Sequence, residues 1–186
     1  MPLPAPVERE LIHSRRIECR GYRRRDGLWD IEARLVDTKA YAFANAWRGE
    51  VRPGEPVHDM SIRLTIDDDF VVRDVQAVID ASPFRICSDI TPSFATLKGL
   101  KIGKGWRRAI AERLGGVRGC THLAELLGPL GTTAYQTILP LREAEERDNP
   151  VRTRPAAIDT CHALRSDGEA MRQYWPEFYT GDDTRR

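Results

Sequence analysis

Thiol and imidazole side chains are the residues of this sequence with the clearest chemical potential. Cys120 and His122 occur two positions apart, Cys161 and His162 are adjacent, and Cys87 precedes them in the chain. Zinc and iron prefer sulfur and nitrogen donors of this kind, with four ligands closing a structural site and three leaving a position open. These residues are therefore candidate ligands for zinc or iron, although their spacing matches none of the strong paired-cysteine motifs.

Cys120 has a second property, because it directly precedes a predicted helix. The N-terminal end of a helix stabilises a thiolate through its dipole and its free backbone N–H groups. A lone cysteine is more often a small buried hydrophobe, which is the interpretation we favour for Cys19. For the Cys120/His122 pair and the Cys161/His162 pair, the metal-binding and structural interpretations both stay open.

His58 and Asp59 lie just before the second predicted hairpin and form another candidate site. A histidine at the end of a hairpin can act as a general base or as a metal ligand. Adjacent residues of a strand point to opposite faces, so Asp59 does not orient His58 if both lie within the strand. We take both as candidate catalytic residues, together with Tyr22 and Arg20 of the first hairpin.

The polar face of the first hairpin is the third feature that could do chemistry. Arginine, tyrosine and carboxylate side chains alternate with apolar ones on both of its strands. Such a face is normally solvated and carries modest cross-strand ion pairs. Alternatively, arginines there bind the carboxylate or phosphate of a substrate with paired N–H donors. The candidate substrate-binding residues are Arg16, Arg24, Trp29, Glu32 and Arg63.

Composition excludes several classes of protein. The chain has 186 residues, with 29 basic and 28 acidic side chains and a net charge of +1, which gives no electrostatic footprint for nucleic acid or a membrane surface. It has no apolar run of about 18 residues, no secretory signal, and too few cysteines for a disulfide scaffold. Nucleophile-elbow, phosphate-loop and dinucleotide fingerprints are absent. We therefore expect a soluble cytoplasmic protein that binds a small molecule.

Period-two patterns in the first half of the chain predict two hairpins. The first has a strand from Ser14, a turn at residues 23–27 and a strand from Trp29 to Leu35. The second has strands over residues 60–66 and 71–79, joined by three aspartates. Residues 37–48 are ambiguous between a loop and an irregular strand.

The second half changes to a helical period. We predict a helical segment at residues 92–97, a helix at 106–114, a short helix at 121–127 that ends at Gly128-Pro129, and another from Thr132 or Thr133 toward Arg147, bent near Pro140. A linker at 151–160 and a short helix near 168–174 follow. Strands followed by helices indicate an α+β fold, an antiparallel sheet of about four strands covered by C-terminal helices. We expect an extended arm at 1–12, a single domain at 13–178 and a tail at 179–186.

The chain as a whole resembles a bacterial family known only as a domain of unknown function. The resemblance extends over most of residues 13–178, and its motifs are YRRRDGLWDIE from Tyr22, HDM from His58, Gly105-Trp106, GCTHLAEL from Gly119 and DTCHAL from Asp159. The family description implies no activity, apart from an association with bacterial catabolism of aromatic acids.

Residues 57–138 are also similar in element order to the NifU/IscU-type iron–sulfur scaffold. In that resemblance Cys87 and Cys120 fall on the second and third scaffold cysteines, and His58 lies close to the position of the first-hairpin ligand. The chain departs from the scaffold in three ways. It lacks the first cysteine, has Gly115–Arg118 in place of the proline-rich chaperone-binding motif, and carries an additional N-terminal hairpin.

Three functions follow from these patterns. The first is a small-molecule enzyme, for example a lyase that acts on a small acid, such as an aromatic one, through the Cys/His site and the arginine-lined sheet face. The second is a metal or iron–sulfur carrier, and the third is a binding module with a structural zinc site. An exposed edge strand in so small a sheet further suggests a homodimer.

Overall fold

The structure is a computed structural model that describes residues 3–145, 154–155 and 157–181. The chain divides into two compact units, residues 1–143 and residues 144–186. The prediction of a single domain at 13–178 is not tested by this division and stays a prediction. None of the described helices is long and apolar enough to cross a membrane.

The first unit contains a four-stranded antiparallel sheet, as the sequence predicted. Its strands are β1 (His13–Arg23), β2 (Trp29–Lys39), β5 (Pro56–Ile66) and β6 (Val72–Ala81), in the order β1-β2-β5-β6. Gly27 occupies the first hairpin turn with a φ of 82°, a left-handed conformation that glycine adopts without strain. The ambiguous segment contains a separate small hairpin of β3 (Phe43–Asn45) and β4 (Gly49–Val51).

The hydrophobic core lies against one face of this sheet. Alternate residues of β2 and β5 point into it, because side chains of a strand alternate between faces. They meet the apolar stripe of α2 (Thr121–Glu145), which is fully buried from Leu123 to Ile138. The sheet residues involved are Trp29, Ile31, Ala33, Leu35, Met60, Ile62, Leu64 and Ile66. The opposite face of the sheet carries the polar residues of the same strands.

The helix α2 corrects one prediction, because it runs without interruption through Gly128-Pro129 and past Pro140. The sequence predicted that one helix ends at Gly128-Pro129 and that another begins at Thr132 or Thr133. A proline within a helix removes one backbone hydrogen bond, but Leu126 and Leu127 before it and Leu130 and Ala134 after it are all fully buried. Packing of this continuous stripe against the sheet outweighs the local helix-breaking signal. The predicted extension to Arg147 lies outside the described residues.

The remaining helices agree with the sequence pattern. A long 3-10 segment (Arg85–Leu97) contains the predicted helical stretch, and α1 (Trp106–Leu114) ends at Gly115 as expected. The Trp106 indole N–H donates to the Leu127 carbonyl at 2.9 Å, which fixes α1 against α2. In the second unit, α3 (Glu169–Tyr174) confirms the short helix predicted near residues 168–174.

Strand β1 approaches α2 unusually closely at Gly21. A methyl group built on Gly21 would lie 1.9 Å from the Thr137 hydroxyl oxygen, so only glycine fits at this point. Because β1 lies beside β2, this contact seats the outermost strand of the sheet directly under the helix.

Candidate functional site

A row of polar residues lies at one end of the apolar face of the sheet. On β2 and β5 the inward positions Leu35 and Met60 are cross-strand partners, and the next inward positions are Asp37 and His58, which are also partners. On the outer strand β1, Arg15 is the partner of Asp37. Three strands therefore place an arginine, an aspartate and a histidine side by side on the face that α2 covers.

Asp37 lies at the centre of this row and is only 1% exposed. Arg15 binds both of its carboxylate oxygens, with Nε to Oδ1 at 2.8 Å and a terminal nitrogen to Oδ2 at 2.8 Å. His13 Nε2 lies 3.3 Å from Oδ1. Burial by itself would raise the pKa of Asp37, but hydrogen bonds from Arg15 and His58 outweigh it and lower the pKa to about 2. Asp37 is therefore an ionised carboxylate at neutral pH.

His58 hydrogen-bonds to this carboxylate through its ring. Its Nδ1 is 2.9 Å from Asp37 Oδ2, and since an ionised carboxylate only accepts hydrogen bonds, Nδ1 must carry the proton. Burial lowers the pKa of His58 although Asp37 acts in the opposite direction. The neutral ring then has its lone pair on Nε2, which leaves that nitrogen available to accept a proton.

His122 stacks on His58 from the first turn of α2. The two ring centroids are 3.9 Å apart and the rings are tilted by 32°. Burial, and then the nearby charge of His58, lower the pKa of His122. Both imidazoles are therefore predominantly neutral at pH 7, and two neutral rings can stack without the repulsion that two imidazolium ions would suffer.

The Cys120 thiol lies beside His122. Cys120 Sγ is 4.0 Å from His122 Nδ1 and 4.0 Å from Met60 Sδ. Arg15 connects the row to α2, because its second terminal nitrogen bonds Glu125 at 2.5 Å. The cluster thus combines two neutral imidazoles, a thiol and an arginine around one buried carboxylate.

A metal ion could be held by part of this cluster. One donor atom from each of Asp37, His58 and His122 lies within 4.8 Å of the others, and this is the group of potential metal ligands found in the part of the chain that the structure describes. Two histidines and a carboxylate suit zinc or non-haem iron.

Comparison with known proteins identifies the family. Residues 13–136 match the model of a protein family of unknown function (DUF2889). The chain belongs to the DUF2889 family. No curated protein and no solved structure matches it. The match to the DUF2889 family contains every residue of the cluster around Asp37, from His13 to Glu125, whereas Cys161 and His162 lie outside it.

The structure brings together some of the residues predicted from sequence. His58, His122 and Cys120 meet in the cluster. Cys87 lies in the 3-10 segment after β6 and is not part of the Asp37 group, and Cys161 and His162 lie in the second unit. The likeness to the iron–sulfur scaffold stays a prediction.

Several of the predicted arginine and carboxylate residues lie on the face of the sheet opposite to α2. An open groove of about 380 Å³ there is lined by Arg20, Glu32 and Arg63, among others. Arg63 Nε donates to Glu32 at 2.6 Å, and Arg20 binds Glu18 at 2.7 Å. These side chains therefore form ion pairs with carboxylates on a face that His58 does not share.

The other predicted residues have structural partners or face solvent. Asp59 receives two hydrogen bonds from Arg34, at 2.8 and 2.6 Å, and points away from His58 as strand geometry requires. Trp29 is buried in the core and its indole donates to Asp68 at 2.9 Å. Arg24 binds Asp26 and Asp30 in the hairpin turn. Arg16 and Tyr22 are exposed on β1.

Sequence reasoning missed Asp37, Arg15, His13 and Glu125. The sequence does contain one indication of Asp37. This residue continues the series of alternate, inward-facing residues of β2 that begins at Trp29. An acidic residue at an inward position needs a buried partner. The identity of that partner depends on strand register, which the sequence does not specify.

Proposed function

We propose that this protein is an enzyme that uses His58 as a general base, oriented by Asp37. The observation that carries the proposal is the 2.9 Å bond from His58 Nδ1 to a buried carboxylate that Arg15 holds at both oxygens. A carboxylate in this role fixes the tautomer of the imidazole and stabilises the imidazolium that forms when the base takes up a proton. His58 is therefore organised to accept a proton at Nε2.

His122 supplies the second group that an elimination needs. In a lyase reaction the substrate loses a proton from carbon to His58 Nε2, a double bond forms, and the bond to the leaving group breaks. The leaving group accepts a hydrogen bond from the neutral N–H of His122, which stacks on His58 at a centroid distance of 3.9 Å, and takes its proton from solvent water. His58 returns the proton that it accepted to solvent, and both rings are neutral again for the next turnover.

A small carboxylic acid fits this site through Arg15. The Arg15 guanidinium has five N–H donors. Its Nε and one terminal nitrogen each donate one hydrogen bond to Asp37, and the other terminal nitrogen donates one to Glu125. The remaining donors belong to a side chain that is 32% exposed. They can bind a substrate carboxylate while the guanidinium stays fixed, and the half-buried His58 and His122 rings offer flat surfaces to an aromatic substrate.

The test uses a panel of small aliphatic and aromatic hydroxy acids, with product formation followed by NMR. His58→Gln should abolish turnover of any substrate found, and His122→Gln should reduce it by about 10²-fold or more. Glu112→Gln, an exposed change on α1, is the matched control and should leave turnover unchanged. Turnover that survives His58→Gln in a folded protein would refute the role of the base.

Metal binding is a second candidate, favoured by the donor atoms of Asp37, His58 and His122 that lie within 4.8 Å of one another. Zinc or iron at this site would need the Asp37 carboxylate to exchange a bond to Arg15 or His58 for the ion. Elemental analysis of protein purified without a histidine tag decides between the two candidates. One equivalent of zinc or iron that is lost in His122→Gln supports the metal site, a brown iron–sulfur chromophore supports a carrier, and metal-free active protein supports acid–base catalysis alone.

Chelation further separates a structural zinc ion from a catalytic one. A structural ion contributes to folding, so its removal should unfold the protein. If the chelator unfolds the protein, the module with structural zinc is favoured over the enzyme.

A further inference from the structure

From His13 to Tyr22, the outer edge of β1 pairs with no other strand of the described chain. In the first hairpin the Arg24 N–H donates to the Leu28 carbonyl, and the Ala40 N–H donates to the Ile12 carbonyl. Even-numbered residues of β1 thus direct their backbone groups toward β2. The odd-numbered residues, from His13 to Arg23, consequently direct their N–H and C=O groups outward.

The other edge of the sheet is less suited to pairing. The Val72 N–H donates to the Leu100 carbonyl and the Gly99 N–H donates to the Val72 carbonyl, both at 2.8 Å, so a neighbouring segment occupies the start of β6. The pairing of β6 with β5 also contains two register shifts. The regular free edge is therefore that of β1, and such an edge is a template for another strand.

The charges along β1 select one way for two copies of this strand to pair. If an antiparallel pair is centred on Ile17, Arg16 lies opposite the partner's Glu18, and the reverse pair forms by symmetry. These are non-hydrogen-bonded positions, where Cα atoms approach to about 4.5 Å and side chains interact most closely. The outward backbone groups of Ile17 meet those of the partner's Ile17.

Neighbouring registers are disfavoured by the same charges. Centring the pair on Arg16 places two arginines face to face, and centring it on Glu18 places two glutamates face to face and pairs Arg16 with Arg20. Like charges directly opposite each other destabilise a pair of strands. Centring the pair on Cys19 would pair Glu18 with Arg20, but it places Arg15 opposite Arg23 and leaves Arg16 opposite Tyr22. The register centred on Ile17 places Arg16 opposite Glu18 and puts no like charges of β1 face to face.

In a single chain, Arg16 and Glu18 can each accommodate a further ion pair, and the apolar residues of this register are exposed. Arg16 has no ion pair among the residues whose contacts are described. Glu18 binds Arg20 through Oε1, at 3.0 and 2.7 Å, which leaves Oε2 for a second arginine. Ile17 is 39% exposed, and the same register places Tyr22, 42% exposed, against the partner's Ile12, 48% exposed.

We propose that two copies of this chain associate through antiparallel pairing of β1 with β1, centred on Ile17. The two four-stranded sheets then form one continuous sheet, and the Arg16–Glu18 pairs and the apolar contacts of Ile17 and Tyr22 fix its register. This inference does not depend on the proposed catalytic role of His58.

The first test measures mass in solution by sedimentation equilibrium. The wild-type protein should sediment as a species with twice the mass of a single chain. Arg16→Glu and Glu18→Arg each place like charges opposite each other at two points, so each should weaken dimerisation about tenfold or more. The double exchange Arg16→Glu/Glu18→Arg should restore it, whereas Arg107→Glu on α1, a control with the same change of charge, should have no effect. A wild-type chain that stays monomeric at about 100 μM (−5.5 kcal/mol at this dissociation constant by the standard conversion) overturns the proposal.

The second test reads the register by disulfide formation in a Cys161→Ser background, which removes the exposed native thiol. Opposed residues of a hydrogen-bonded pair have Cα atoms about 5.5 Å apart, within the range that a disulfide spans. Ile17→Cys should link into a covalent dimer under mild oxidation, whereas Arg16→Cys and Glu18→Cys should not, because their counterparts lie two residues away along the strand. Preferential linking of Arg16→Cys or Glu18→Cys would overturn the proposed register.

Discussion

Replacement of Asp37 by asparagine tests the electrostatic centre of the site. The depression of the Asp37 pKa from 3.8 to about 2 corresponds to about 2 kcal/mol of stability at neutral pH. The change also leaves the Arg15 guanidinium beside a neutral amide, and breaking a buried ion pair costs about 3–5 kcal/mol. Because Arg15 is about one third exposed, we expect a loss of about 2–4 kcal/mol.

The loss depends on pH in a direction that the structure fixes. The folded pKa of Asp37 lies below its unfolded value, so its contribution is complete above about pH 5 and disappears as the pH falls through 3.8 toward 2. The difference in unfolding free energy between wild type and Asp37→Asn should therefore narrow by about 1 kcal/mol at pH 3 and about 2 kcal/mol at pH 2.

Urea unfolding followed by circular dichroism at several pH values measures both effects. Asp69→Asn is the matched control, because Asp69 is exposed and its replacement should change stability by less than about 0.5 kcal/mol. A loss for Asp37→Asn below about 1 kcal/mol at pH 7, or a difference that is constant from pH 7 to pH 2, would refute the description of Asp37 as a strongly paired, ionised carboxylate.

Three further substitutions test the packing that positions the site. Gly21→Ala should destabilise the protein by about 1–3 kcal/mol in urea titrations, because its methyl group meets Thr137 at 1.9 Å; an unchanged midpoint would show that β1 lies farther from α2. Pro129→Ala should raise the melting temperature, since alanine is about 3 kcal/mol better than proline within a helix, and no gain would indicate that the helix is interrupted there. Trp106→Phe should cost about 1–3 kcal/mol, because it removes part of a buried side chain and its hydrogen bond to the Leu127 carbonyl, a loss that calorimetry would detect and that an unaltered transition would contradict.

The four-stranded sheet could be predicted from local patterns. Alternation of apolar residues from Trp29 to Leu35 and the Asp-Gly turn before it indicate a hairpin without any knowledge of the rest of the chain. The continuity of α2 could not be predicted in the same way. Gly128-Pro129 is a strong local stop signal, and only the burial of residues on both sides of it reveals why the helix continues.

The candidate site was predicted in part for a related reason. Residue type alone directs attention to His58, Cys120 and His122, since few other side chains titrate or bind metals near neutral pH. Their common partner Asp37 becomes evident only from the register of β2 with β5. Because alternate residues of a strand point to opposite faces, the arginine-rich face of the sheet is also separate from His58. Composition alone cannot show this separation.

The tautomer of His58 tests the central claim most directly. Nitrogen-15 NMR of the imidazole at pH 7, in wild type and in Asp37→Asn, reports which ring nitrogen carries the proton. We predict a neutral ring with its proton on Nδ1 in the wild type, and a loss of that preference in the variant, because Asp37 accepts the Nδ1–H bond at 2.9 Å. A wild-type ring protonated on Nε2 alone, or one whose tautomer is the same in both proteins, would contradict the role of Asp37 in preparing His58 as a base.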